Sequence, residues 1–86
     1  METLTVYTTG ESCGKCNLTM KMLDGKKIPY VVIDLNENPA AYRYVTEELG
    51  YSTAPVVVVD DQDHWCDLRP DEIERIASHR TTAAAR

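Results

Sequence analysis

Two cysteines separated by two residues, Cys13-Gly14-Lys15-Cys16, stand between a short apolar run and a helix-like stretch. The run, Leu4 to Tyr7, is rich in β-branched and aromatic residues and reads as a strand. The stretch begins at Asn17 and continues to Leu23. The cysteine pair therefore falls at the first turn of a helix that follows a strand. The start of a helix carries free N–H groups and a partial positive charge. Both favour thiolate over thiol at the first sulfur, and the thiolate is the reactive form. Thiols at this spacing can close and open a disulfide, and the strand–loop–helix context says more than the four letters alone.

The rest of the chain supplies a sheet for that helix to pack on. Cys16, Met20 and Leu23 fall on one stripe of a helix expected over Cys13 to Asp24, with Gly25 as its C-terminal cap. Tyr30 to Asp34 is a second strand, apolar almost throughout. Asn38-Pro39 is a capping side chain followed by proline, a good helix start. That helix carries Ala41, Val45 and Leu49 on one face and stops at Gly50. Val56 to Val59 reads as a buried strand, Asp60 to Asp63 as a turn, and His64 to Cys66 as a short fourth strand. A last helix opens at Arg69-Pro70-Asp71-Glu72, with Ile73, Ile76 and Ala77 inward. Residues 80–86 read as a frayed tail after a single domain over residues 1–79. The order is β-α-β-α-β-β-α. The first strand–helix–strand unit implies a parallel pair and the short link between the last two strands an antiparallel hairpin. An α/β fold follows, a small mixed sheet with helices on both faces.

Size and charge exclude several functions. Eighty-six residues leave room for one core. The net charge of −5, with only Lys26 and Lys27 adjacent among the basic residues, argues against a nucleic-acid partner. No apolar run has the length of a membrane span, and residues 1–30 lack the layout of a signal peptide. The expected location is the cytoplasm, where structural disulfides are rare and a lone CxxC serves catalysis or metal binding. Zinc has a weaker claim, because only Cys66, His64 and His79 could complete a four-ligand site.

Val6-Tyr7-Thr8, Cys13-Gly14-Lys15-Cys16, Val31-Val32-Ile33-Asp34-Leu35, Ala54-Pro55-Val56-Val57 and His64-Trp65-Cys66-Asp67-Leu68-Arg69-Pro70-Asp71 together resemble the NrdH-type redoxins. These are glutaredoxin-like members of the thioredoxin superfamily, and the similarity runs from about Leu4 to Ala77. The resemblance implies a thioredoxin fold, a four-stranded mixed sheet flanked by three helices. It implies a monomeric electron carrier that takes electrons from thioredoxin reductase and passes them to the large subunit of class Ib ribonucleotide reductase. No cofactor is expected to bind. The redox group is the reversible Cys13–Cys16 disulfide, and NADPH acts only through the reductase.

On this reading Cys13 is the nucleophile and Cys16, one turn in, resolves the mixed disulfide. The resemblance also makes the Ala54–Pro55 bond cis and opposite the CxxC. The Ala54 backbone is then free to pair with an extended substrate segment, with Thr53 beside it. Gly14, Lys15, Thr53, Ala54, Pro55, Trp65 and Arg69 form the expected partner-binding set. Within it, Trp65 packs beneath the late motif and Arg69 holds that motif through Asp71 or a backbone carbonyl. Lys15 either lowers the Cys13 pKa or is a solvated side chain, and the solvated role is preferred.

The chain departs from the family pattern in four places. The Thr9-Gly10-Glu11-Ser12 loop is one residue longer and lacks the proline often found before the first cysteine. Gly14-Lys15 replaces a commoner valine–glutamine pair. Cys66 and Asp67 stand for serine and glycine, and Lys27 stands where many relatives have glycine. Two rival functions remain. A glutathione-dependent glutaredoxin would use a glycine–glycine pair after the third strand, where this chain has Asp60-Asp61-Gln62-Asp63. A non-catalytic binding or redox-sensing module would have no need of both thiols.

Overall fold

Strand β1 (Leu4–Thr8) has a neighbour on each side, and the rest of the sheet is built around it. The computed structural model describes residues 3–10, 12–60 and 62–84, the last six by backbone alone. Around β1 are β2 (Tyr30–Asp34), β3 (Val56–Asp60) and β4 (Asp63–Cys66), in the order β2-β1-β3-β4. β1 and β2 run parallel, with Val6 beside Val32, as the intervening helix requires. β1 and β3 are antiparallel, and so are β3 and β4, which form the expected hairpin with an irregularity between Val58 and Asp60. The helices are α1 (Gly14–Gly25), α2 (Pro39–Arg43) and α3 (Pro70–Ala84). This is the thioredoxin fold that the resemblance implied.

Alternation along the strands divides the interior into two cores. Leu4 and Val6 of β1, Val57 of β3 and Trp65 of β4 point to one face. There they meet Leu23 of α1 and Ile73 and Ile76 of α3. Tyr7 and Val56 point the other way, onto Ala41 and Val45 of the second helical segment. Two ion pairs tie the edges of the first layer. Lys26 Nζ reaches Glu74 Oε2 at 2.7 Å, and Arg75 Nη2 reaches Asp63 Oδ1 at 2.8 Å. β2 is an edge strand, so Val31 and Val32 stay about half exposed in spite of their apolar character.

Three local features differ from the sequence expectation. The second helix is not uniform. It begins as expected, with Asn38 Oδ1 accepting from the Ala41 N–H and Pro39 next in line. After Arg43 it widens into a π turn over Tyr44–Glu48, where the Leu49 N–H bonds the Tyr44 carbonyl. The wider turn leaves Leu49 only partly buried, while Ala41 and Val45 lie in the core. Second, α3 runs on to Ala84, through most of the segment expected to be a frayed tail. Alanine's high helix propensity favours this extension. The end of that expected tail, residues 85 and 86, lies outside the described residues.

Third, Gly25 does not cap α1. It is the last helical residue, and Lys27 takes the left-handed conformation with φ 59°. The Ile28 N–H bonds the Leu23 carbonyl at 3.0 Å and the Lys27 N–H bonds the Asp24 carbonyl at 3.0 Å. These two bonds, with Leu23 and Ile28 packed together, make a Schellman turn. A side chain at its left-handed position is disfavoured. Lys27→Gly is therefore expected to stabilise the protein by roughly 0.5–1 kcal/mol, read as a higher urea midpoint. An unchanged or lower midpoint would show that Lys27 is not strained.

Candidate redox site

The last residue before α1 is Cys13, and its sulfur caps the helix. Its backbone is extended, with φ −80° and ψ 102°, and its Sγ accepts from the Cys16 N–H at 3.2 Å. Its carbonyl takes the Asn17 N–H at 3.0 Å, the first bond of the helix. The preceding loop is held by two local bonds and one from the segment after β2. Thr8 Oγ1 accepts from the Gly10 N–H, the Gly10 carbonyl accepts from the Cys13 N–H, and Asn36 Nδ2 donates to the Thr9 carbonyl. Gly10, at φ 115°, occupies a conformation that residues with a side chain rarely adopt.

Cys13 and Cys16 form a disulfide, with their Cα atoms 5.2 Å apart. The two sulfurs differ in access. Cys16 is fully buried, on the α1 stripe with Leu23, whereas Cys13 is half-exposed. A helix N-terminus, a capping sulfur and a buried partner thiol combine to make a dithiol that exchanges with disulfides.

The Ala54–Pro55 bond is cis, as the resemblance implied. Pro55 is buried, Ala54 half-buried and Thr53 exposed. Thr53 and Ala54 also line a groove with Leu35, Tyr42 and Tyr51. The expected partner-binding residues do not all share this face. Trp65 is only 3% exposed and packs with Leu4, Val57 and Ile73 in the first core. That placement agrees with a packing role and removes Trp65 from any surface a partner could touch. Its place on β4 turns it towards α1 and α3. Arg69 is exposed and spends its guanidinium on Asp71, through Nε to Oδ1 at 3.1 Å and Nη2 to Oδ2 at 2.9 Å. His64 is half-buried, with its Nδ1 2.8 Å from the Tyr51 hydroxyl.

Asp67 is the site residue that sequence reasoning did not single out. Its N–H donates to the Pro55 carbonyl at 2.7 Å, and its Oδ1 lies 3.0 Å from Lys15 Nζ. It thus links the cis-proline segment to the interior of the CxxC. Lys15 stays exposed, as the solvated reading expected, and its ammonium is paired there with Asp67. The available signal was that Lys15 and Asp67 both depart from the family pattern. The Lys15 hydrogen bond, helped by the Leu68 N–H, holds the Asp67 carboxyl below its ordinary range. A lowered folded-state pKa means that the pair contributes to stability above the ordinary carboxylate range. That contribution is lost as pH falls through the lowered value. Among the described residues, no three His, Cys, Asp or Glu side chains gather where a metal could bind.

A sequence model of glutaredoxin matches residues 4–65. The chain belongs to the glutaredoxin family. Among its relatives is the gene 56 protein of Mycobacterium phage D29, 30% identical over 93% of this chain and 88% of the relative. The solved NrdH-redoxin of Escherichia coli is 27% identical, with a TM-score of 0.77 over 85% of this chain and 92% of that one. It is a glutaredoxin-like protein with a thioredoxin-like activity profile. A glutaredoxin from Archaeoglobus fulgidus shares the fold at 20% identity and a TM-score of 0.74, over 87% of this chain and 85% of that one. The chain is placed with the NrdH-type, glutaredoxin-like proteins of the thioredoxin superfamily. With its helix-start CxxC, this glutaredoxin-family protein is a thiol–disulfide oxidoreductase.

The unequal access of the sulfurs has a direct consequence. In the reduced Cys66→Ser protein, a limiting alkylating reagent near neutral pH should modify Cys13 well before Cys16. Peptide mapping by mass spectrometry reads the order, and prior modification of Cys16 would contradict it.

Proposed function

We propose that this protein is a cytoplasmic, monomeric dithiol electron carrier that reduces protein disulfides. Its substrate is the disulfide of class Ib ribonucleotide reductase, on the large subunit, and its own reductant is thioredoxin reductase. The observation that carries the reading is the asymmetric sulfur pair at the start of α1, with Cys13 half-exposed and Cys16 buried. The likeness to an NrdH-redoxin with a thioredoxin-like activity profile supports the choice of partners.

The chemistry follows from the placement. The Cys13 thiolate attacks one sulfur of the substrate disulfide and expels the other as a thiolate, leaving a mixed disulfide. Helix N–H groups and the helix dipole favour the thiolate before attack. The Cys16 thiol then loses its proton and attacks Cys13 Sγ. The Cys13–Cys16 disulfide closes and the second substrate thiol leaves. Two electrons have passed to the substrate. The reductase restores the dithiol with two electrons from NADPH and two protons. During the mixed-disulfide stage an extended partner segment pairs with the backbone at Thr53 and Ala54. Gly14, which a side chain could extend without meeting any neighbour within 4 Å, leaves the approach to Cys13 open.

Family membership alone leaves glutathione as the rival reductant. Glutathione carries net negative charge. Beyond β4 it would meet the Asp67 carboxylate. The acidic turn expected to repel it does not face the site: β3 runs antiparallel to β1, which puts Asp60 at the end of the sheet away from the CxxC. Parallel assays with a protein disulfide substrate separate the two. NADPH with thioredoxin reductase should sustain turnover, while NADPH with glutathione and glutathione reductase should give at least about tenfold less, the ratio that 1.4 kcal/mol sets. Cys13→Ser should abolish turnover and Cys66→Ser should leave it nearly unchanged. Comparable turnover with glutathione would assign the protein to the glutathione-dependent glutaredoxins.

A further inference from the structure

Lys15 and Asp67 meet across the active-site face, one from the first turn of α1 and the other from the β4–α3 connection. Asp67 is held at several points. Its N–H is bonded to the Pro55 carbonyl, and its Oδ1 also accepts the Leu68 N–H at 2.8 Å. Its backbone sits at φ 71°, in the left-handed region, where a side chain is disfavoured and glycine is at ease. A carboxylate is therefore kept and fixed where the backbone would favour none. Lys15 has the opposite character, a point charge on a flexible stem whose root is two residues from Cys13. Left unpaired, that ammonium could fold back towards the Cys13 sulfur and stabilise its thiolate.

We propose that Asp67 is a positioning residue that holds the Lys15 ammonium off the Cys13 sulfur and so keeps Cys13 a weaker acid. Among the described residues, the other charged or titratable groups nearby are already committed or stand apart. Arg69, two residues beyond Asp67, is tied to Asp71. Cys66 and Tyr51 belong to the second core, beneath the β4 end. The Ser52–Pro55 segment carries no titratable side chain. Asp34 lines a hollow with Thr8, Gly10 and Asn17 and accepts the Asn36 N–H. Among the described residues, the Lys15–Asp67 pair is thus the adjustable charge at the CxxC. It sets how much Cys13 thiolate is present and how readily Cys13 is later displaced as a leaving group. The inference rests on Cys13 being the attacking thiol, but not on which reductase serves it.

The test is the Cys13 pKa in the Cys16→Ser protein, read from thiolate ultraviolet absorbance against pH. Asp67→Asn removes the charge and keeps an oxygen for the Leu68 N–H, and asparagine tolerates the left-handed backbone. It should lower the Cys13 pKa by about half a unit, roughly a threefold rise in thiolate below the pKa, as suits an exposed ion pair. Lys15→Gln should raise the pKa. The Asp67→Asn shift should persist in a Lys15→Arg background and nearly vanish in a Lys15→Gln background. An equal shift in all backgrounds would show that Asp67 acts directly rather than through Lys15, and no shift in any would show no influence. Either result overturns the inference. Disulfide exchange by the otherwise unsubstituted protein is measured alongside. Its absence with both reductants would overturn the proposed function instead.

Discussion

The site depends on the complete enclosure of β1. This strand is bonded on both edges, to β2 and β3, and covered on both faces by helical layers. Leu4, Val6, Val56 and Val57 are fully buried at the meeting of the two cores. The end of such a strand is a fixed point. From it the chain needs only the short Thr9–Ser12 loop to deliver Cys13 to the start of α1. α1 itself is fixed by Leu23 in the first core and by the turn through Lys27 and Ile28. The capping sulfur is therefore placed by packing elsewhere in the molecule, and its reactivity is a property of the fold as much as of the residue.

The same enclosure explains why two sulfurs so close in sequence differ so much. Cys13 lies outside the helix and Cys16 one turn within it, on the stripe that packs inward. A reaction that needs one accessible nucleophile and one protected resolving thiol obtains both from a single helix start. Asp67 adds a third element. It connects the proline segment and the CxxC through one backbone bond and one ion pair, so that segments far apart in sequence form one face.

Most of the architecture was legible because its signals are local. The β-branched and aromatic run Leu4 to Tyr7, the Asn38-Pro39 cap and the four consecutive valines from Val56 each mark an element by themselves. Cys13 and Cys16 stood out because their spacing and position repeat a chemical requirement. What escaped depends on contacts that leave no local pattern. Gly25 looked like the cap because glycine is at ease there, yet the left-handed residue is Lys27. The apolar β2 gave no sign that it would be an edge strand, because edge status is decided by which strand pairs with β1. The π turn after Arg43 follows a helical pattern that reads as continuous. The Lys15–Asp67 pair joins two residues that each look solvated in isolation.

In the proposed cycle Cys13 is the attacking thiol and Cys16 the resolving one. Trapping the mixed disulfide tests it most directly. The reduced Cys16→Ser and Cys13→Ser proteins, each also carrying Cys66→Ser, are mixed with a disulfide-containing protein substrate and analysed intact by mass spectrometry. A stable covalent adduct through Cys13 is expected in the first variant and almost none in the second. An adduct through Cys16 in the second variant, formed as fast as the first, would contradict it.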